Sequence, residues 1–192
     1  KAYSALFDSG ETFDSFQSWS SQIINDFNEI DRYMLDYKAV FSNLRDIKEI
    51  EQWSFNSTEL SENQNKFLIF WEKLGELYER FTAQLQEQQL ATSARIYRDI
   101  ATQPQKYLNN LPYKKIYIIG FNALSKSEEE IFKHLYQTSK AKLFWDTDLY
   151  YLKNKLYEAG NFIRTYNWAS ESIRLSAGNS ISTQKKNIHI YP

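Results

Sequence analysis

The spacing of hydrophobic residues predicts four helices in the first 110 residues. Apolar side chains in this part of the chain recur every three or four positions, which places them on one face of a helix. A capping-box pattern, Ser61-x-x-Gln64, marks the start of the third helix, and Pro104 predicts a bend in the fourth. The four predicted segments cover approximately residues 16–34, 37–52, 61–85 and 92–108.

The third predicted helix carries the most regular apolar seam. Its hydrophobic residues alternate spacings of four and three, as in a helix packed nearly antiparallel against another. Such a seam is typical either of a partner-binding coiled coil or of a helical bundle within one chain. We favour the bundle, because other segments rich in aromatic rings also need to be covered. The seam consists of Phe67, Trp71, Leu74, Tyr78, Phe81 and Leu85.

After Pro112 the pattern changes to one typical of an α/β unit. Residues 116–121 form a continuous apolar run that predicts a strand buried on both faces, and 143–145 predict a second buried strand. Between them, Ser125-x-x-Glu128 marks the start of another helix. We therefore expect two parallel strands joined by a right-handed helical crossover.

Three further elements are predicted downstream of this unit. A helix is expected from about 153 to 168, a polar loop from 176 to 183 and a third strand from 188 to 191. The predicted fold class is therefore α/β with a large all-α insertion. In it, residues 1–110 form a helical insertion domain and residues 111–192 form part of a parallel-sheet lobe.

The charge distribution supports this division. Residues 1–110 carry 11 Lys and Arg against 17 Asp and Glu, whereas residues 111–192 carry 12 against 7. Only the second part therefore has a balance that favours phosphate binding. Aromatic residues make up 17% of the chain, which is enough for a substantial core.

Other bulk properties exclude several classes of protein. The sequence has no Cys, which rules out disulfides and thiolate metal sites and fits a cytoplasmic location. No apolar run is long enough to span a bilayer, so we expect no membrane association. The chain opens at Lys1 without Met and stops directly after the predicted third strand. We expect both ends to be cuts in a longer protein.

The residues that usually carry catalysis do not form a recognisable site. His134 and His189 are far apart in the sequence and are interpreted as structural residues. An acidic cluster on the first helix has the ligand type for a metal, but Arg32 follows Glu29 by three residues and offers it an ion pair. The cluster consists of Asp26, Glu29 and Asp31.

Asp146 and Asp148 follow the second predicted strand, at the position where ligands bind in open α/β sheets. Either they hold Mg²⁺ with a nucleotide, or one of them caps the next short helix. We favour the cap, because the sequence contains no G-x-x-x-x-G-K-[ST] phosphate loop. The first strand also runs into Gly120-Phe121 rather than into the acids with which a motor ATPase orders Mg²⁺ and activates water. We predict no catalytic residue, no metal ligand and no cofactor.

Several segments resemble an AddB-type helicase–nuclease subunit. Residues 116–132 resemble its strand–GF–x–x–L/F–[ST]–x–x–E segment, and 143–152 match the next strand of that family. One departure is Ile119 at the end of the strand, where many relatives keep Asp. Further segments similar to the Bacteroidetes branch of the family are 26–33, 41–46, 94–99 and 158–164.

The resemblance implies a superfamily-one helicase architecture with decayed motor motifs, in which the lobe is related to phosphate-loop NTPases. It places the phosphate loop upstream of this chain and a PD-(D/E)XK nuclease domain downstream. The chain would then be a non-catalytic segment of a DNA-repair helicase–nuclease. It would hold DNA while an AddA-like motor subunit drives translocation.

Four basic residues flank the junction of the two predicted domains and are our candidates for contacts with DNA phosphates. They are Arg95, Arg98, Lys114 and Lys115. For each, the alternative is a surface residue or a local ion pair.

The alternative function is a helical protein–protein interaction module, which exposed Phe67, Trp71 and Phe81 would favour. A third is an enzyme that uses the two aspartates after the second strand.

Overall fold

The computed structural model describes residues 13–43 and 62–183. The chain divides into two compact units, Lys1–Asp99 (unit 1) and Ile100–Pro192 (unit 2). The domain boundary predicted at residue 110 stays a prediction. Within the described ranges, no helix combines the length and the hydropathy needed to cross a membrane.

Unit 1 is built from helices. α1 spans Phe13–Arg32, α2 covers 37–43 within the described residues, and α3 spans Glu62–Glu87. The Asp36 carboxylate accepts the backbone N–H of Lys38 at 3.0 Å and so caps the start of α2. The predicted end of α2, and the first residue of the capping box predicted before α3, lie outside the described residues.

The core of unit 1 is formed by α1, α2 and α3. Its rings pack edge to face, as between Phe27 and Tyr78, whose centroids are 5.1 Å apart. Trp71 and Phe81 are partly buried against this core, whereas the side chain of Phe67 lies outside the described part. The seam therefore packs within the chain, as the bundle interpretation predicted. The buried core residues are Phe27, Ile30, Phe41, Leu74, Leu77 and Tyr78.

The fourth predicted helix is interrupted at Pro104, as expected. α4 spans Ser93–Thr102, and α5 spans Pro104–Leu108. Gln103 between them has φ −131° and ψ 57°, because a proline disfavours the helical conformation of the residue before it.

Unit 2 contains the predicted strand–helix–strand arrangement. β1 spans Ile116–Phe121, α6 spans Lys126–Gln137, and β2 spans Ala141–Trp145. The two strands pair in parallel, with Ile118 opposite Leu143. The structure is thus mostly helical with a small parallel sheet, which is compatible with the predicted α/β class.

The single helix predicted from 153 to 168 is wrong. The guanidinium of Arg164 donates to the carbonyl oxygens of Tyr151 at 2.7 Å and Tyr157 at 3.0 Å, so the chain turns around this side chain. Gly160 lies in the same turn, where a Cβ would overlap the Tyr151 carbonyl oxygen. The segments present are α7 (Leu149–Lys153), a 3₁₀ turn (Glu158–Gly160), α8 (Asn161–Thr165), a second 3₁₀ turn (Asn167–Ala169) and α9 (Ser170–Ser176).

The polar loop predicted over 176–183 is only partly irregular. Gly178 forms a parallel bridge with Asp148, and a short helix, α10 (Ser180–Thr183), follows it. The loop prediction is therefore wrong for Ser176, which ends α9, and for the last four of these residues. The strand predicted over 188–191 lies outside the described residues.

The described helices cover only one face of the strands. The Ser172 hydroxyl of α9 donates to the Leu143 carbonyl oxygen at 2.9 Å and accepts the Trp145 indole N–H at 3.2 Å. On the other face, Tyr117 is 59% exposed and Ile119 is 73% exposed. The prediction of strands buried on both faces is wrong, because an apolar run does not reveal whether a second layer is present to cover it.

α6 begins at the predicted capping box. The Ser125 backbone N–H donates to a Glu128 carboxylate oxygen at 2.8 Å, and the Glu128 N–H donates to the Ser125 hydroxyl oxygen at 3.5 Å. Because this pair satisfies two N–H groups at the helix start, Ser125→Ala should lower the free energy of unfolding by about 1 kcal/mol. Urea denaturation followed by circular dichroism measures the loss. The exposed Ser170→Ala is the control and should change stability by less than about 0.5 kcal/mol. Equal losses would contradict the capping role.

Candidate nucleic-acid interface

Lysines gather at the amino ends of the two parallel strands. Lys114 and Lys115 precede β1, and Lys140 precedes β2. The Ile116 N–H donates to the Lys140 carbonyl oxygen at 2.9 Å, so the two strand ends lie side by side. We call Lys114, Lys115 and Lys140 the basic edge.

The basic edge is arranged by the end of α6. Ser139 has a φ of 56°, the left-handed conformation that commonly ends a helix. The Lys115 ammonium donates to the Ser139 carbonyl oxygen at 2.7 Å, which places it at the partially negative end of α6. Lys114 is exposed, so its charge faces solvent.

The uncovered face of the sheet begins beside the basic edge. Tyr117 lies opposite Lys142, and Ile119 lies opposite Phe144. The rings of Tyr117 and Phe144 have centroids 6.3 Å apart and are inclined by 30°. Phe144 is 43% exposed, and neither strand contains Asp or Glu. We call Tyr117, Ile119, Lys142 and Phe144 the aromatic face.

A bulge at Gly120 ends the aromatic face. The pairing register shifts between Ile119 and Phe121, and Gly120 has a φ of 78°, which glycine adopts without strain. If β1 continued as a regular strand, alternation would place Phe121 on the exposed side with Ile119. After the bulge, the Phe121 ring instead packs against Trp145 with 4.3 Å between centroids. The bulge therefore turns Phe121 away from the exposed face, on which Tyr117 and Phe144 lie.

Arg95 and Arg98 are engaged inside unit 1. The Arg98 guanidinium donates to the carbonyl oxygens of Ile30 at 3.1 Å and Leu35 at 3.0 Å, and it lies 3.6 Å from the Asp31 carboxylate. The Arg95 guanidinium lies 3.7 Å from the same carboxylate. Both arginines thus form ion pairs within the fold, whereas a contact with phosphate stays a prediction.

The buried Asp31 carboxylate is the centre of this cluster. Burial raises the pKa of Asp31, and the hydrogen bond from the Tyr78 hydroxyl at 2.6 Å and the two guanidinium groups oppose that rise. Burial, together with donation to this carboxylate, raises the pKa of Tyr78 to about 12. The cluster is an internal network that holds α1, α3 and α4 together.

Asp148 caps α7, as favoured from the sequence. One carboxylate oxygen accepts the Tyr150 N–H at 2.8 Å, and the other accepts the Ile181 N–H at 3.2 Å and the Ser180 hydroxyl at 3.3 Å. The bond from Tyr150, and then the other bonds, lower the pKa of Asp148. Both oxygens are therefore committed to donors of the protein itself. Asp146 is exposed.

The remaining candidate ligands have structural partners. The His134 ring nitrogen Nε2 lies 2.9 Å from the Asn109 side-chain oxygen, as expected for a structural residue, and His189 lies outside the described residues. The Arg32 guanidinium lies 3.5 Å from Glu29, which confirms the predicted ion pair. In residues 13–43 and 62–183, no three His, Asp or Glu side chains converge as metal ligands would.

Sequence reasoning missed most of the aromatic face. Lys142 was the available signal, because a charged residue inside an apolar strand marks a side that faces solvent. Since side chains alternate along a strand, Phe144 lies on the same side. The parallel pairing then adds Tyr117 and Ile119.

No family model matches the sequence, and no curated protein or solved structure matches it either. The function is therefore inferred from the residues and their geometry.

Proposed function

We propose that this chain is a non-catalytic, DNA-handling segment of a cytoplasmic helicase–nuclease of the AddB type, which works with an AddA-like motor subunit. The ordered segments that resemble this family support the proposal. The parallel strand–helix–strand unit is compatible with part of a lobe related to phosphate-loop NTPases. The segment would hold DNA while the partner subunit hydrolyses ATP.

The observation that carries the proposal is the contrast between the two ends of the sheet. At the carboxyl ends, β1 runs into Gly120 and Phe121, and both oxygens of Asp148 accept bonds from the protein itself. At the amino ends, the basic edge presents lysines close to exposed rings. Such a surface attracts phosphates but lacks the acids that phosphoryl transfer requires.

We assign the proposed phosphate contacts to Lys114 and Lys115 rather than to the arginines. The Asp31 side chain is only 5% exposed, and Arg95 and Arg98 are its cationic neighbours. If either guanidinium moved to DNA, the buried Asp31 carboxylate would lose one of its positive neighbours. Removing one partner of a buried ion pair typically costs about 3–5 kcal/mol. The lysines carry no such constraint, because Lys114 is exposed and Lys115 bonds only a carbonyl oxygen among its described contacts.

The alternative functions have less support. Trp71 and Phe81 are partly buried against the core of unit 1, whereas a partner-binding helix would expose them. Asp148 would have to release its bonds with Tyr150 and Ile181 before it could bind Mg²⁺.

The proposal predicts a specific loss of salt dependence when two lysines are removed. The binding constant K for labelled forked DNA is measured by fluorescence anisotropy. Its logarithm should fall linearly as the logarithm of the salt concentration increases. In Lys114→Ala/Lys115→Ala, the slope should fall in magnitude by about 1.4–1.8, because each lost phosphate contact contributes about 0.7–0.9. Circular dichroism should show an unchanged helical signal.

The matched control removes the same charge elsewhere in unit 2. Lys153 and Lys155 are exposed, and Lys153→Ala/Lys155→Ala should leave the slope unchanged. Equal losses in the two double variants would show a general effect of net charge and contradict the assignment to the basic edge. Absence of salt-sensitive DNA binding by the unmodified chain would contradict the DNA role itself.

A further inference from the structure

We propose that a cavity in unit 2 binds a small apolar carboxylate, that is, an anion whose carboxylate is attached to a hydrocarbon body. The cavity lies between α7, α8, the second 3₁₀ turn and α9, and its volume is about 270 Å³. We call it the α7–α9 cavity. The basic edge and the aromatic face contribute no residue to it, so the inference is independent of the proposed DNA role.

The wall of the α7–α9 cavity is mainly aliphatic. Leu149 and Leu152 come from α7, Ile163 comes from α8, and Ile173 comes from α9. Ile163 is only 2% exposed, so this part of the wall belongs to the core of unit 2. A hydrocarbon group that enters the cavity leaves water for an apolar surface, which favours its binding. Pockets for drug-sized ligands span about 300–1,000 Å³, so this cavity suits a smaller body such as one phenyl ring.

Two guanidinium groups line the α7–α9 cavity, whereas no carboxylate does. They belong to Arg164 and Arg174, and neither forms an ion pair with another described residue. The partly buried Arg164 guanidinium donates to backbone carbonyl oxygens, which satisfy its N–H groups but do not neutralise its charge. Low-dielectric walls strengthen the field of nearby charges. The cavity therefore favours an anion over a neutral or cationic ligand of the same shape.

Arg174 is the residue that can bind the anion directly. Its side chain is exposed, whereas both terminal nitrogens of Arg164 already donate to carbonyl oxygens. A guanidinium binds a carboxylate through two parallel N–H···O bonds. Phosphate carries up to two negative charges at neutral pH, so one available guanidinium compensates it less completely than it compensates a carboxylate. Asn167 and Ser170, which also line the cavity, are exposed and leave it open to a ligand from solvent.

The test compares four probes by two-dimensional NMR of the full, isotope-labelled chain: phenylacetate, phenylacetamide, acetate and phenyl phosphate. Phenylacetate should bind with a dissociation constant on the order of 1 mM or lower. Phenylacetamide lacks the charge and acetate lacks the ring, so each should bind at least about 10-fold more weakly. Phenyl phosphate should also bind more weakly than phenylacetate. The N–H signals that shift with phenylacetate should belong to residues 149–176.

Three variants test the role of Arg174. Arg174→Met removes the charge and should bind phenylacetate and phenylacetamide equally. Arg174→Lys keeps the charge and should still prefer phenylacetate. Arg80→Met is the matched control, because it removes a half-exposed guanidinium from α3 and should bind phenylacetate as the unmodified chain does. The comparison of probes on the unmodified chain needs no substitution, so it tests the cavity even if a variant misfolds.

Each contrary result overturns a defined part of the proposal. Equal binding of phenylacetate and phenylacetamide by the unmodified chain would exclude an anion-selective site, and tighter binding of phenyl phosphate would exclude the carboxylate as the preferred anion. Shifts confined to signals outside residues 149–176, or no binding of phenylacetate up to about 10 mM, would exclude the cavity as the site. An unchanged preference for phenylacetate in folded Arg174→Met would remove this arginine from the site.

Discussion

Arg98→Met should lower the free energy of unfolding of unit 1 by about 3 kcal/mol, the lower end of the range for breaking a buried ion pair, because Arg98 is partly exposed. The substitution keeps the apolar stem of the side chain but removes the cation next to buried Asp31. It also removes one donor from the carbonyl oxygen of Ile30, which keeps the Leu35 N–H at 3.0 Å, and the guanidinium donor from the carbonyl oxygen of Leu35, which follows α1. Urea denaturation followed by circular dichroism measures the loss.

Arg80→Met is the matched control for this variant. The Arg80 guanidinium pairs with Glu76 at 2.6 Å on the surface of α3, and both side chains are about half exposed. Its removal should cost no more than about 0.5 kcal/mol. A loss for Arg98→Met as small as that for Arg80→Met would contradict the structural role. If folded Arg98→Met binds DNA with a smaller slope of log K against log salt than the unmodified chain, Arg98 contacts phosphate.

Raising the pH from 10 to 12 should reduce the stability of unit 1 by about 2 kcal/mol through Tyr78 alone. The pKa of this phenol rises from 10.0 to about 12 in the folded chain. Below pH 10 the phenol is protonated in both states, so its contribution to stability is complete. Between pH 10 and 12 the unfolded chain releases the proton while the folded chain retains it, so rising pH favours unfolding.

The chain contains 14 Tyr, so the informative quantity is the difference in stability between variants. Tyr78→Phe is less stable than the unmodified chain at pH 9, because the donor to Asp31 is lost, but the gap should close as the pH approaches 12. Tyr33→Phe changes a half-exposed residue of the same unit, and its stability should run parallel to that of the unmodified chain. A gap for Tyr78→Phe that is constant with pH would contradict the raised pKa.

Local patterns predicted the elements whose signals are complete within a few residues. The seam around Tyr78 predicted α3, since apolar spacing alone defines an amphipathic face. Ser125 and Glu128 predicted the start of α6, because the two side chains satisfy each other's backbone N–H groups. The prediction that Asp148 caps a helix needed only the end of the strand before it and the start of the helix after it.

The sequence-based predictions that were wrong or missing concern features that depend on distant residues. One helix was predicted over 153–168, but the Arg164 guanidinium donates to the carbonyl oxygens at positions 151 and 157, and the chain turns there. The partners of Arg98 at Ile30 and Leu35 lie 68 and 63 positions away in the sequence. A spacing rule contains no information on contacts of that range, so these partners of Arg98 were not predicted. The local ion pair that the sequence offered as the alternative is present for Arg95, whose guanidinium lies 3.1 Å from Asp99.

The exposure of the aromatic face also depends on distant residues, because other elements decide which side of the sheet is covered. The apolar run at Ile118 and Ile119 indicated a strand correctly, but only the packing of α6 and α9 decides which side is covered. The Gly120 bulge then reverses the alternation before Phe121. The exposed rings beside Lys142 became visible only when the register between β1 and β2 was known.

Titration of labelled single-stranded DNA with the unmodified chain at increasing salt tests the proposed DNA role most directly. We expect binding at low salt, with a binding constant whose logarithm decreases linearly as the logarithm of the salt concentration increases. No binding at the lowest salt, or an affinity that does not respond to salt, would contradict the role of this chain in handling DNA.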